Sequence, residues 1–185
     1  MSGFFDQACR DHGAAHPFVH EAAHAVAAAD RGLAFRSVQV LPPYRWDATN
    51  DGLLVGGLDP GPDPRSWVRA SPRATFEVII SGFLAEKALL GHHLDHAYDG
   101  DIKFWRIHMD LTEGLSSDVI ENAIGAPMRD VVNQVERWAR KRNRCIRAVV
   151  SAMSGVDDLS VATQLEFRDD WILDSPQVHA LMRQL

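Results

Sequence analysis

A mainly α fold with a small β element (α+β) is what this sequence predicts, and three observations carry the prediction. Three long segments keep apolar residues at helical spacing, two of these are bracketed by cap chemistry, and only one short run alternates as a strand does. The chain has 185 residues, 46% hydrophobic and 24% charged, which suits one core. Residues 1–15 read as a polar lead-in and 16–185 as a single domain.

Taken in order, Pro17 suits a first helical position and Gly32 the position just past a helix end, so the alanine-rich stretch between them predicts a helix over about 17–30. Phe35–Leu41 alternates and predicts a strand. Residues 42–72 hold prolines 42, 43, 60, 62, 64 and 72 and read mostly as one long loop, with Gly52–Gly57 as an apolar island fit for an edge strand. Ser71-Pro72 opens a second helix that Gly91 ends. After the polar connection 92–100, a third helix starts near Asp101 and reaches about Leu111, and a short one covers Ser117–Ile124. Pro127 to about Met153 reads as the longest helix, with Gly155 as its stop. Short helices near Ser160–Phe167 and from Ser175-Pro176 to the end close the chain.

Composition excludes several classes. Nineteen Lys plus Arg against 25 Asp plus Glu leave a net charge of −6, which argues against nucleic acid as a main partner. The basic stretch 129–147 reads as a solvated face. Cys9 and Cys145 lie far apart, so neither a disulfide scaffold nor a cysteine-rich zinc site is expected, and a reducing, cytoplasmic compartment fits. The apolar stretches fall short of the roughly 20 residues of a membrane span, and no secretory pattern opens the chain.

Nine histidines are many for this length, and they cluster. His20-Glu21-Ala22-Ala23-His24 is an HExxH motif inside a predicted helix. Positions i and i+4 share a helix face, so His20 and His24 can bind one Zn2+ ion. Glu21 then stands beside the metal, where it can take a proton from a zinc-bound water. A catalytic zinc usually has three protein ligands, and His92, His93, Asp95, His96, Asp99 and Asp101 are the candidates for the third. Glu86 falls on the apolar face of the second helix, where a carboxylate is costly unless paired. It either hydrogen-bonds the far nitrogen of a zinc-bound histidine, or reaches solvent or a basic neighbour such as Lys87. Tyr44, Tyr98 and His108 are the residues to consider for stabilising an oxyanion.

These motifs resemble the peptidase domain of the FtsH family of ATP-dependent zinc metalloproteases. That family has HEAGHA where this chain has His20-Glu-Ala-Ala-His-Ala25, and a helix reading ISGRAAEEL where this chain has Ile80-Ser-Gly-Phe-Leu-Ala-Glu-Lys-Ala-Leu89. Its Asn-Asp-Leu helix start corresponds to Gly100-Asp101-Ile102, and its late helix to Arg142–Met153. The resemblance covers about residues 16–165. It implies an FtsH-peptidase-like helical zincin with His20, His24 and Asp101 as zinc ligands and Glu21 as general base. Asp101 also suits a helix start, where one oxygen can cap backbone N–H groups and the other meet a metal. The resemblance further implies an edge strand for an extended substrate at Gly52, Leu53, Leu54 and Val55, or at Ser37–Leu41. The family's second glycine of HEAGH is Ala23 here and its arginine is Phe83. These 185 residues contain no phosphate-binding Gly-rich loop.

The expected function is therefore a zinc-dependent endopeptidase acting on unfolded protein, a peptide or a loop, presented by a homo-oligomer or a separate delivery partner, with no membrane and no nucleic acid involved. The alternatives are a non-catalytic, zinc-stabilised binding or regulatory module and a zinc hydrolase of another amide or ester.

Overall fold

The first described helix, α1 (Ala15–Asp30), is the axis of the molecule. Phe18, Val19, Ala22, Ala23 and Ala25–Ala28 are all buried, and so are His16, His20, Glu21 and His24, so the helix is enclosed nearly all round. Gly32 ends it with a left-handed φ of 66°, and the Leu33 and Gly32 amides donate to the carbonyls of Ala28 and Ala29, which closes the last turn. The computed structural model describes residues 15–41, 47–49, 52–54, 56–63, 65–93, 99–109, 116–155 and 171–185.

After α1 come four strands, β1 (Ser37–Val40), β2 (Asp47–Thr49), β3 (Gly52–Leu54) and β4 (Gly56–Asp59). Two helices follow, α2 (Arg65–Ala70) and α3 (Pro72–Leu90). Helices α4 (Asp99–His108), α5 (Ser117–Ile124), α6 (Met128–Lys141) and α7 (Asn143–Ser154) lead to β5 (Ile172–Asp174) and α8 (Ser175–Arg183). β1 is the middle strand of an antiparallel sheet ordered β4-β1-β5, with Val38 opposite Leu58 on one side and Leu173 on the other. β2 and β3 form a separate antiparallel pair, with Ala48 opposite Leu53. The class is thus mainly helical with a small sheet. No helix of the described residues is long and apolar enough to cross a membrane.

α3 packs along α1 and joins the two cores. Val78 and Ala85 face the α1 core, while Phe76, Ile79, Ile80 and Leu84 belong to a second core with Trp105, Val131 and Val135. Its ends follow the expected chemistry, with the Ser71 side chain accepting from the Ala74 amide at 3.1 Å and Gly91 at φ 87°. Trp105 is fully buried, packs on Phe76, and donates its ring N–H to the Pro72 carbonyl at 3.4 Å. It fixes α4 against the start of α3 and, one turn earlier on the same face, fixes where Asp101 can lie.

The structure corrects several expectations. The stretch 42–72 is not mostly loop, since it contains β2, β3, β4 and α2. Gly52–Gly57 is not one strand: β3 pairs with β2, whereas β4 pairs with β1. Ser37–Val40 has both edges taken, so this segment cannot accept a substrate strand. The helix expected over Pro127–Met153 is two, broken at Arg142 (φ −91°, ψ 12°), which leaves α3 the longest described helix. No Gly or Pro marks that break. At this junction Asp30 binds the Arg142 guanidinium twice at 2.7 Å and the Trp138 ring N–H at 2.8 Å. β5 carried no recognised signal, being three residues long and ending on Asp174, the N-cap of α8. The helix expected at Ser160–Phe167, together with Val55, Tyr44, Tyr98, Asp95 and His96, lies outside the described residues.

Candidate metal centre

His20 and His24 stand one turn apart on α1, with ring centroids 4.6 Å apart and the rings nearly perpendicular. Both are buried. The Nε2 of His20 lies 2.9 Å, and that of His24 3.2 Å, from the same Oδ2 of Asp101, which arrives from α4. Asp101 lies in the first turn of α4 rather than at its cap, because the helix begins two residues earlier at Asp99. A carboxylate there is also favoured by the helix dipole.

Each imidazole is held from behind. The Nδ1–H of His24 donates to the Val78 carbonyl at 2.7 Å, and the Nδ1–H of His20 to Glu86 Oε1 at 2.5 Å. With Nδ1 bonded from behind, each imidazole presents its Nε2 to Asp101, the atom through which it would bind a metal ion. The three ligand atoms lie within 4.8 Å of one another, and among the described residues this is the group of three fit to hold a metal ion. Donors at zinc distances of about 2.0–2.1 Å around a tetrahedral ion stand roughly 3.3 Å apart, close to the 2.9 and 3.2 Å separations here. A two-imidazole, one-carboxylate set fits zinc.

Electrostatics agree with a site built for positive charge. Burial lowers the His20 pKa, but hydrogen bonds and charge from Asp101 and Glu86 outweigh it and raise the imidazole well above its usual value. His24 is raised as well, Asp101 outweighing burial. Burial pushes Asp101 up, yet the two imidazoles hold it well below the usual carboxylate range. Without a metal, protons take the place an ion would fill.

Glu21 differs from these residues. Its Oε2 is buried and has no hydrogen-bond partner among the described residues, a costly state for a carboxylate. Burial raises its pKa to about 7, although His20 and His24 pull the other way. Two glycines make the room. A Cβ on Gly56 would stand 2.5 Å from the Gln39 carbonyl oxygen and 2.8 Å from Glu21 Cγ, and one on Gly82 would stand 2.6 Å from His20 ring atoms. Gly82 thus lets the His20 ring lie directly on the α3 backbone, and Gly56 lets β4 touch Glu21.

Glu86 is almost wholly buried and reaches neither solvent nor Lys87, since its two oxygens meet His20 and His16. Among the other residues considered for a third ligand, His92 lies on His16 and His93 packs on Phe83. His108, seven residues along α4 from Asp101, packs edge-on against Phe104. Gly52, Leu53 and Leu54 form β3, which runs beside α4. Sequence reasoning missed His16, although 16, 20 and 24 keep the i, i+4, i+8 spacing of one helix face. It also missed Gly82, whose signal is a glycine in the middle of an apolar helix. No protein-family model, curated protein or solved structure matches the chain.

Proposed function

We propose that this protein is a zinc-dependent endopeptidase resembling the peptidase domain of the FtsH family, with His20, His24 and Asp101 as zinc ligands and Glu21 as general base. The observation that carries the proposal is the convergence of two imidazole Nε2 atoms and one carboxylate oxygen beside a buried Glu21 oxygen that has no hydrogen-bond partner among the described residues. A zinc ion held there supplies Lewis acidity to a scissile carbonyl and acidifies water.

The chain's own residues do the rest. Glu21 Oε2 accepts the proton of the attacking water and returns it to the departing amine. Burial makes this carboxylate a stronger base than one in solvent, and a pKa near neutrality suits proton transfer in both directions. Glu86 and the Val78 carbonyl keep the imidazoles in the tautomer and orientation that ligation needs. Among the described residues no strand covers the outer edge of β4, whose Gly56 touches Glu21. An unfolded protein or peptide adding along this edge, or along β3, would be held by backbone hydrogen bonds with little sequence preference. Cys145 is a buried free thiol, which agrees with a cytoplasmic setting.

The test is hydrolysis of fluorescein-labelled casein by zinc-loaded protein. Glu21→Gln is expected to lower the rate about 10²–10⁴-fold while zinc binding persists. An undiminished rate in Glu21→Gln, or a zinc-loaded wild type that cleaves nothing, overturns the proposal.

A further inference from the structure

His20 and His24 are held from behind by supports of different kinds. The Val78 carbonyl behind His24 belongs to the α3 backbone, so the helix itself fixes it. Glu86, behind His20, is a side chain whose last torsion has only a broad intrinsic preference. Attached to one imidazole alone, such a carboxylate can swivel or exchange its oxygens while keeping that bond. A second attachment removes the freedom. His16 lies one turn before His20 on α1, is 1% exposed, and donates from Nδ1 to Glu86 Oε2 at 2.8 Å, while His20 holds Oε1. One carboxylate thus spans two consecutive turns of α1, with each oxygen on a different ring. The other nitrogen of His16 meets Nε2 of His92 at 3.1 Å, which ties the ring to the segment following Gly91.

We propose that His16 is a positioning residue for the metal centre. By holding one oxygen of Glu86 it fixes the carboxylate, and through the carboxylate the orientation in which His20 presents Nε2 to zinc. The inference rests on the reading of His20, His24 and Asp101 as zinc ligands, and adds a residue that touches neither metal nor substrate. Without the His16 donor, Oε2 loses a charge-assisted hydrogen bond in a buried place. That loss draws the carboxylate towards other donors and away from His20.

Loss of a group that orients a metal ligand typically costs about 10–100-fold in metal affinity. His16 acts one step further out, on the partner of a ligand, so its removal is expected at the lower end, about tenfold. His24 needs no counterpart to His16, because a main-chain carbonyl in mid-helix cannot turn by itself. The asymmetry of the two supports is what gives His16 a task.

Zinc affinity of the full chain, measured by competition with a chelator beside the urea midpoint, tests the proposal. His16→Leu fills the space and removes the donor, whereas His16→Asn keeps an N–H near the place of Nδ1 and leaves a void. Both are expected to lower the urea midpoint, but only His16→Leu to weaken zinc, by about tenfold, with His16→Asn near wild type. His16→Ser leaves a void too and is too short to reach Oε2, so it repeats the comparison with His16→Asn where the leucine variant does not fold. Added to Glu86→Gln, His16→Leu is expected to weaken zinc no further, because the path runs through Glu86. Wild-type affinity in His16→Leu, affinities that simply follow the urea midpoints, or full additivity with Glu86→Gln would each overturn the proposal while the zinc ligands stand. A wild type that binds no zinc removes the ligand reading and this one with it. No arm depends on hydrolysis, so failure of the peptidase proposal is told apart from failure of this one.

Discussion

Along the seam between α1 and α3, polar side chains are buried and matched to one another, whereas on α6 and α7 they stand in water and pair loosely. In the seam, His16, His20, His24 and Glu86 are each no more than 4% exposed, and every imidazole Nδ1 faces an acceptor. On the outer helices, Arg140 reaches Glu136 with 63% of its side chain exposed. Asp30 stands between the two regimes, since its side chain is 15% exposed and grips an Arg142 side chain that is 39% exposed. The difference teaches where chemistry can be built. A buried network holds atoms to within tenths of an ångström because the alternatives are costly, whereas a solvated pair has water as a ready substitute.

Substitutions can break or sharpen that contrast, and the largest effect is expected in the seam. Gly82→Ala gains about 0.5–1 kcal/mol of helix propensity. It also drives a methyl group to 2.6 Å from a His20 ring that Glu86 holds in place. Such overpacking costs about 1–3 kcal/mol, so the net change is destabilising, with a lower urea midpoint. The displaced ring is expected to weaken zinc binding about 10–100-fold, measured by competition with a chelator. Unchanged zinc affinity would show that the ring moves freely, contrary to a preorganised seam.

A middle effect is expected at the junction. Asp30→Ala removes both bonds to Arg142 and the one to Trp138, and should cost about 1 kcal/mol in urea unfolding while leaving zinc affinity unaltered. The smallest effect belongs to the outer face. Arg140→Ala breaks one i,i+4 pair and should move stability by no more than about 0.5 kcal/mol, a change that 1 M salt would erase. If Arg140→Ala cost as much as Gly82→Ala, the contrast between the regions would fail.

Legibility follows the same divide. Helix α3 could be read from end to end because Ser71, Pro72 and Gly91 are local signals that act on the backbone directly. HExxH could be read because i, i+4 spacing is itself a three-dimensional statement. The break at Arg142 could not, since Asp30 lies far away in the chain and only packing brings it there. Nor could the division of Gly52–Gly57 between two sheets, because a short glycine-rich strand takes its register from whichever partner tertiary structure supplies. Glu86 was visible as a misfit on an apolar face, and the structure names its partners as His16 and His20.

Taken alone, the sequence determined the helices with local start and stop chemistry and the pairing of His20 with His24 on one face, because both depend on interactions within a few residues. Tertiary structure decided that Asp101 closes on those imidazoles, that Gly82 and Gly56 clear space for His20 and Glu21, and that His92 meets His16. Those contacts join residues far apart in the chain, and only the packing of α3, α4 and β4 around α1 brings them within reach.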